Sequence, residues 1–113
     1  MGRYEIMEIN NEKLSLGDFP LAVNRYVINN DRLGDKLFLQ IRFENIGTRE
    51  ISGFTIEISC SENGNTNNLC FDHLYSKLHF NPGEFFGTDE YIPLPDRQHT
   101  NIHIRCKTIT FAD

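Results

Sequence analysis

Two residues of metal-ligand type stand close together in the sequence. Cys70 and His73 are separated by two residues, a spacing at which both side chains can reach one ion. Four more residues are available to complete a coordination shell: Cys60, Cys106, His79 and His103. A zinc site is normally built from two such pairs, and the sequence contains one. Three small thiols beside solvated histidines are therefore the simpler interpretation.

Nucleophilic catalysis would require a cysteine with a nearby base and an orienting acid. Cys70, Asp72 and His73 are of the right types, but neighbours in a strand point to opposite faces. The sequence has no glycine-rich nucleophile turn and no phosphate loop. Three further acids stand near proline-containing turns, where carboxylates are usually solvated: Asp89, Glu90 and Asp96. We therefore expect no enzyme activity and no cofactor.

Two alternating segments form the framework that must position these residues. In Leu37–Glu44 and again in Phe54–Cys60, large apolar residues occupy every second position. Only a strand places such positions on one face. The segment Asn45–Thr48 joins them and has the composition of a turn. The pattern predicts two half-buried antiparallel strands.

Four further segments are predicted to be strands: Tyr4–Ile9, Leu21–Ile28, Phe85–Leu94 and Asn101–Phe111. Leu21–Ile28 carries apolar residues of both parities, which indicates burial on both sides or a bulge. The apolar parity also changes within Asn101–Phe111, and a bulge near Lys107–Thr108 would return both sets to the core.

Residues 69–80 are ambiguous. Four apolar residues in this segment have the spacing of one helix face: Phe71, Leu74, Tyr75 and Leu78. The surrounding strands favour irregular strand and loop, which is our prediction. The polar loop before this segment has its expected tip at Asn63–Gly64.

Length and composition are those of one folded domain. The chain has 113 residues, of which 39% are hydrophobic and nine are phenylalanine, a content that argues against disorder. The strands and turns predict a single domain spanning residues 1–113. Its predicted fold is an all-β, antiparallel β-sandwich of the immunoglobulin or fibronectin-III type with about seven strands.

Charge and cysteine content limit the class of partner and the compartment. The net charge is −5 and the basic residues are dispersed, so we expect no nucleic-acid binding. Three cysteines are an odd, sparse set, which indicates free thiols in a reducing compartment. Residues 1–20 contain no apolar core of a signal peptide, and no segment is long enough to span a membrane. These features predict a cytoplasmic protein.

The order of strand and turn motifs has a counterpart in a known group of domains. Phe38–Gly47 followed by Ile51–Ile58 forms a strand, an Asn-x-Gly turn and a strand, and Leu78 precedes the Pro-Gly-Glu segment at Pro82–Glu84. This order resembles bacterial immunoglobulin-like and fibronectin-III-like accessory domains. Three later segments resemble the ending of a poorly characterised group of these domains in Firmicutes: Phe86–Gly87, Ile92–Asp96 and Phe111–Asp113. The resemblance covers residues 37–113, implies an accessory β-sandwich and carries over no catalytic residue.

The consecutive residues Phe85 and Phe86 suggest a binding surface. In an extended strand they face opposite sides, so one is expected in the core and the other beneath a loop, a neighbouring chain or a partner. With Tyr91 and Phe38 nearby, the outward ring would form an interaction patch. Burial beneath residues 61–80 is the alternative.

The polar faces of the two strong strands predict a cross-strand ion pair. We expect the outward residues of Leu37–Glu44 to lie beside those of Phe54–Cys60. Glu57 would then pair with Arg42 or Arg105 at a gain of roughly 0.2–1 kcal/mol. A plain solvated sheet face is the simpler interpretation of these rows.

These observations predict a non-catalytic protein-interaction or structural module. It would bind a protein, or a second copy of itself, through a strand edge or through exposed aromatic residues. The candidate binding residues are Phe38, Phe85, Phe86 and Tyr91. The alternative is a carbohydrate-binding β-sandwich, which needs exposed tyrosines on one face or loop set. Its candidates are Tyr26, Tyr75 and Tyr91.

Overall fold

In the part of the chain that the structure describes, β-strands are the only regular secondary structure. The computed structural model describes residues 2–62 and 68–112, and the expected loop tip at Asn63–Gly64 lies outside them. The strands are β1 (Tyr4–Asn10), β2 (Leu14–Ser15), β3 (Leu21–Asp31), β4 (Lys36–Asn45), β5 (Ile51–Ser61), β6 (Asn68–Tyr75), β7 (Phe85–Phe86), β8 (Ile92–Pro93) and β9 (Asn101–Phe111). The all-β prediction is confirmed. These residues contain no helix of the length and apolarity needed to cross a bilayer.

The strands form two antiparallel sheets. The six-stranded sheet has the order β1–β3–β4–β7, with β2 also paired to β3 and β8 to β4. The three-stranded sheet has the order β6–β5–β9. Buried residues from both sheets form one core. Phe43 of β4 and Phe54 of β5 meet there with ring centres 4.9 Å apart.

The two strongest predicted strands do not pair with each other. β4 belongs to the six-stranded sheet and β5 to the three-stranded sheet, so the expected neighbour relation is wrong. Asn45 fixes the corner between them, because its side-chain amide donates to the carbonyl oxygens of Arg49 and Phe80, both at 2.9 Å. Its Oδ1 accepts the N–H of Gly47 at 3.0 Å. A Cβ at Gly47 would lie 2.6 Å from the Cβ of Pro20, so the corner requires glycine.

The bulge predicted near Lys107–Thr108 is confirmed, and Leu21–Ile28 contains a bulge, which was one of its two expected alternatives. The register of β3 against β4 shifts at Asn24, which explains why Leu21–Ile28 buries residues of both parities. The register of β9 against β5 leaves Lys107 as the extra residue. This is the position at which the change of parity in Asn101–Phe111 predicted a bulge.

The ambiguous segment 69–80 and the predicted strand Phe85–Leu94 have different outcomes. Residues 69–80 are strand up to Tyr75 and loop beyond it, which confirms the prediction of strand and loop. The predicted strand Phe85–Leu94 is reduced to the two-residue strands β7 and β8. Gly87 interrupts it with a φ of 111°, a conformation that ordinary strands do not adopt. With the unpredicted two-residue strand β2, this division brings the number of strands in the described residues to nine instead of about seven.

Candidate functional site

Three aromatic side chains from separate segments meet on the outer face of the six-stranded sheet. Tyr4 belongs to β1, Phe38 belongs to β4, and Tyr91 directly precedes β8. Alternation along β4 turns Phe38 outward, because its two neighbours in the chain are buried on the inner face. The register sets Phe38 opposite Asn29 of β3 and Pro93 of β8, which brings Tyr91 beside it. We call Tyr4, Phe38 and Tyr91 the aromatic triad.

The rings of the aromatic triad contact one another in tilted and edge-to-face arrangements. The ring centres of Tyr4 and Tyr91 are 4.9 Å apart, and Phe38 lies 6.3 Å from Tyr4 and 6.2 Å from Tyr91. Such arrangements are electrostatically favourable, because the positive edge of one ring approaches the negative face of another. Tyr4 is 40% exposed and Tyr91 is 39% exposed. The aromatic triad is thus an ordered apolar surface that a partner can still cover.

An ion pair holds the start of β1 beside the aromatic triad. Arg3 donates from Nε to Asp31 Oδ1 at 2.9 Å and from Nη2 to Asp31 Oδ2 at 3.0 Å. Its guanidinium carbon lies 5.4 Å from the centre of the Tyr4 ring. The hydrogen bonds from Arg3 lower the pKa of Asp31 from 3.8 to about 2, with smaller contributions from the backbone N–H groups of Gly34 and Leu33. This two-point contact fixes the position of Tyr4.

Apolar surface continues from the aromatic triad along β1. Ile6 stands in register with Asn29 and Phe38 and therefore shares their face. Ile6 is 57% exposed, Met7 52% and Ile9 46%. β1 pairs with β3 on one side, and no other strand in the described residues pairs with it. The free edge of β1 therefore offers unpaired backbone donors and acceptors next to exposed apolar side chains.

A chain of side-chain amides supports the loop that carries Tyr91. Asn29 donates from Nδ2 to Gln40 Oε1 at 2.6 Å, and Gln40 donates from Nε2 to the carbonyl oxygen of Thr88 at 2.6 Å. Asn29 is buried, at 4% exposure, so this hydrogen bond satisfies a group that solvent does not reach. The chain of bonds ties β3, β4 and the loop between β7 and β8 together.

The outer face of the three-stranded sheet carries two ion pairs between its strands. Glu57 pairs with Arg105 at 3.2 Å, and Lys107 pairs with Asp72 at 2.9 Å. The predicted pair between Glu57 and Arg105 is confirmed. Arg42, the alternative partner, lies on the outer face of the other sheet, because β4 and β5 belong to different sheets. The expected side-by-side arrangement of the outward residues of β4 and β5 is wrong for the same reason.

The four predicted aromatic binding residues are divided between the surface and the core. Phe38 and Tyr91 enter the aromatic triad, and Phe85 is 55% exposed on the same outer face, opposite Glu44. Phe86 points inward and packs 5.5 Å from Tyr75, measured between ring centres. Phe86 is thus partly buried and packs against the core, whereas the other three rings lie on the outer face. The expected division of the Phe85–Phe86 pair is confirmed.

The structure separates the two candidate metal ligands. Cys70 stands opposite Ser59 on the outer face of the three-stranded sheet, whereas His73 stands opposite Ile56 on the inner face. Residues three apart in a strand project to opposite sides. The Nε2 atom of His73 lies 2.8 Å from Glu90 Oε1. Within residues 2–62 and 68–112, no group of three or more histidines, cysteines or acids is placed to hold a metal ion.

The three thiols lie in different environments. All three are free, with Cys60 and Cys106 buried and Cys70 exposed. Burial raises the pKa of Cys60 and of Cys106 to about 11, so both remain protonated at neutral pH and are poor nucleophiles. The exposed thiol of Cys70 lies 3.5 Å from the Ser59 hydroxyl.

The tyrosines of the carbohydrate hypothesis do not share a surface. Tyr75 is 3% exposed in the core, where burial raises the pKa of its hydroxyl. Tyr26 is half-buried and borders a groove near Ile102 and Ile104. Tyr91 lies apart from both of them, in the aromatic triad.

Sequence reasoning missed Tyr4 and Arg3 as residues of the site. The ion pair of Arg3 joins residues 28 positions apart, so no local sequence pattern predicts it. One sequence feature pointed to Tyr4. It lies two positions before Ile6 in a predicted strand, so both side chains were expected on the same face of that strand.

Comparison with family models, with curated proteins and with solved structures finds no match to this chain.

Proposed function

We propose that this protein is a non-catalytic protein-interaction module whose binding surface is centred on the aromatic triad. One observation carries the proposal: three aromatic rings from separate segments contact one another on an outward face, and two of them are about two-fifths exposed. Tyrosine is a frequent anchor of protein interfaces, because it buries a large area and loses little conformational entropy. Ile6 and Ile9 continue the apolar surface along β1, and Phe85 is exposed on the same outer face beyond Arg42.

The partner that fits this surface is an extended polypeptide segment with an apolar anchor and an acidic group. An aromatic or aliphatic anchor would cover the aromatic triad and exclude water from its rings. Two arginines, Arg25 and Arg42, stand opposite each other in the sheet and border one pocket on this face. In a protein of net charge −5, this local positive charge favours an acidic partner.

The free edge of β1 supports a second mode, in which two copies pair through this strand. Ile6, Met7 and Ile9 are exposed along it, and an open edge is a template for a further strand. Glu5 would oppose such pairing by its charge, but Arg32 binds it at 2.6 Å. Lysine on an edge strand blocks pairing, so Met7→Lys is expected to abolish any dimer seen by analytical ultracentrifugation. A dimer that survives Met7→Lys would exclude this mode.

We further propose that the two sheets form a β-sandwich related in general architecture to immunoglobulin and fibronectin-III modules. The shared core and the crossing of the chain from β4 to β5 support this proposal. The strand order is a variant, because β1, β3 and β4 are neighbours in one sheet. Immunoglobulin constant domains distribute their first three strands over both sheets.

Site-specific photo-cross-linking in the cells that make the protein tests the proposed function. A photoreactive phenylalanine analogue replaces Tyr91, and the same analogue at Thr110, on the three-stranded sheet, is the matched control. We expect a discrete adduct from position 91, its loss when Tyr4 is also changed to serine, and no adduct from position 110. No adduct at either position, or equal adducts at both, would contradict the proposal.

The mass of the adduct separates the two kinds of occupant. An adduct of twice the 13.1 kDa chain mass would identify a second copy, and any other discrete mass would identify a partner chain for sequencing by mass spectrometry. Circular dichroism of each substituted protein is the control for folding.

A further inference from the structure

Two arginines face each other across neighbouring strands on the same outer face as the aromatic triad. Arg25 of β3 and Arg42 of β4 are partners in the register, and both side chains border one pocket together with Val27 and Gln40. Like charges placed directly opposite each other destabilise a sheet. This arrangement therefore needs a compensating interaction.

The part of the chain that the structure describes supplies no negative charge to this pair. In residues 2–62 and 68–112, neither arginine lies within 4.0 Å of a carboxylate oxygen. Glu44, an outward carboxylate two residues beyond Arg42 on β4, is instead bound by Lys13 at 3.0 Å. The side chain of Arg25 makes no hydrogen bond to any residue of the described chain. The two guanidinium groups therefore retain donors for an external anion.

The guanidinium of Arg42 is already held in place. Its Nε donates to Asn24 Oδ1 at 2.8 Å, and its central carbon lies 5.1 Å from the centre of the Phe85 ring. These two contacts restrain the plane of the group and leave its two terminal nitrogens unoccupied by the described residues. A donor fixed before binding loses little conformational entropy on binding.

The pocket beside the two arginines is large enough for a small oxyanion group and smaller than a typical pocket for a whole small molecule. Its volume is about 160 Å³, and it is lined by Arg25, Val27, Gln40, Arg42 and Thr88. Pockets for whole small molecules usually have roughly 300–1,000 Å³. Planar guanidinium groups match the paired oxygens of carboxylate and phosphate.

We propose that Arg25 and Arg42 form an anion subsite that binds a carboxylate or phosphate group of the partner. This inference rests on the proposed function and specifies the chemistry of that partner. Phe38 of the aromatic triad and Arg42 lie four positions apart on one face of β4, a separation of about 13 Å along a strand. The partner therefore presents its anionic group about four extended residues from its apolar anchor.

Anion titration followed by NMR tests the subsite without the partner. Sodium acetate and inorganic phosphate are titrated at constant ionic strength, with sodium chloride as the reference, while the arginine Nε–H signals and the amides of Val27 and Thr88 are followed. We expect saturable shifts at these positions with acetate, with phosphate or with both. In Arg25→Gln and in Arg42→Gln, binding should weaken at least tenfold. Arg105→Gln, on the other outer face, is the matched control and should bind as the wild type does.

The relative affinities identify the source of the anion. Comparable binding of acetate and phosphate supports a carboxylate of the partner, and at least tenfold tighter binding of phosphate supports a phosphorylated residue. Shifts no larger than those with chloride overturn the subsite, and so do saturable shifts that persist in both arginine variants. Unchanged amide signals in the three-stranded sheet show that the Arg25 and Arg42 variants are folded, and unchanged signals in the six-stranded sheet show the same for Arg105→Gln.

The two proposals fail separately. Absence of anion binding together with an intact cross-link at position 91 overturns the subsite and leaves the interaction surface standing. Anion binding without any cross-link at position 91 overturns the interaction surface, and with it the assignment of the subsite to a protein partner.

Discussion

On the outer face of the six-stranded sheet three aromatic rings lie against one another, whereas the outer face of the three-stranded sheet carries the ion pairs Glu57–Arg105 and Asp72–Lys107. Both faces are built by the same alternation along strands, in which every second residue enters the core. The alternation therefore determines which residues point outward, but not whether those residues are aromatic or charged.

The difference is the reason why we propose the outer face of the six-stranded sheet as the contact surface. Ion pairs at an exposed sheet surface remain solvated and contribute little to stability. Clustered aromatic rings at a surface keep apolar area in contact with water, at a cost that burial against a partner would remove. The bidentate Arg3–Asp31 contact also fixes Tyr4, and the three-stranded face has no counterpart to it among the described residues.

Substitution of the two consecutive phenylalanines should give the largest contrast. Phe86→Ala is expected to lower the free energy of unfolding by about 3 kcal/mol, because it empties a site among core rings. Phe85→Ala should change it by less than about 1 kcal/mol, because this ring lies at the surface. Urea unfolding of both variants measures the difference. Equal losses of stability would mean that the two rings are not divided between core and surface.

Removal of the aromatic triad should affect binding more than folding. Tyr4→Ser combined with Tyr91→Ser is expected to weaken partner binding by about 2 kcal/mol or more, as for a cluster of anchor residues. The matched double variant on the other face, Glu57→Gln with Arg105→Gln, should bind as the wild type does. The comparison uses the partner isolated by cross-linking, in a titration calorimeter. A stronger effect from the second variant would reverse the assignment of the faces.

The Arg3–Asp31 contact should make stability depend on acid pH. The folded-state pKa of Asp31 is lowered from 3.8 to about 2, so ionised Asp31 stabilises the fold above the unfolded pKa. This stabilisation is lost as the pH falls from about 4 through about 2. Asp31→Asn should be less stable than the wild type at neutral pH, and the difference should shrink across that window. Urea unfolding between neutral pH and pH 2 measures it, and a constant difference would exclude this role.

The smallest effect is expected from the ion pairs of the three-stranded face. Arg105 is 69% exposed at its side chain, so Glu57→Gln should cost less than about 1 kcal/mol. High salt should abolish the difference, because it screens exposed charges. Urea unfolding at low and high salt provides the measurement. A larger cost that resists salt would show that this face is more strongly organised than its exposure indicates.

Local patterns predicted much of this fold. The alternation in Leu37–Glu44 and Phe54–Cys60 gave two strands and their buried residues, because the period of a strand is a property of a few consecutive residues. The bulge at Lys107 followed from a change of parity, and the outward and inward members of the Phe85–Phe86 pair followed from their adjacency. Pairing between Glu57 and Arg105 was also predicted, although with Arg42 as an equal alternative.

The candidate site was only partly accessible to the same reasoning. Phe38, Phe85 and Tyr91 were named from the sequence, and they do lie on one outer face. Tyr4 was missed, because its position depends on the contact of Arg3 with Asp31, 28 residues away. The candidate ligands Cys70 and His73 do not come together in the structure. Their spacing suits a turn, but the segment is a strand, in which residues three apart point to opposite faces.

The sequence by itself determined the all-β class, the positions of the long strands and the inward or outward direction of most side chains, because these follow from local periodicity and turn composition. Only the tertiary structure decided which sheet each strand joins. Asn45 and Gly47 turn the chain from β4 into the other sheet through contacts with Phe80 and Pro20, which are distant in sequence. That corner separates the outward residues of β4 from those of β5, and so places the aromatic triad and the arginine pair together on one face and the pairs Glu57–Arg105 and Asp72–Lys107 on the other.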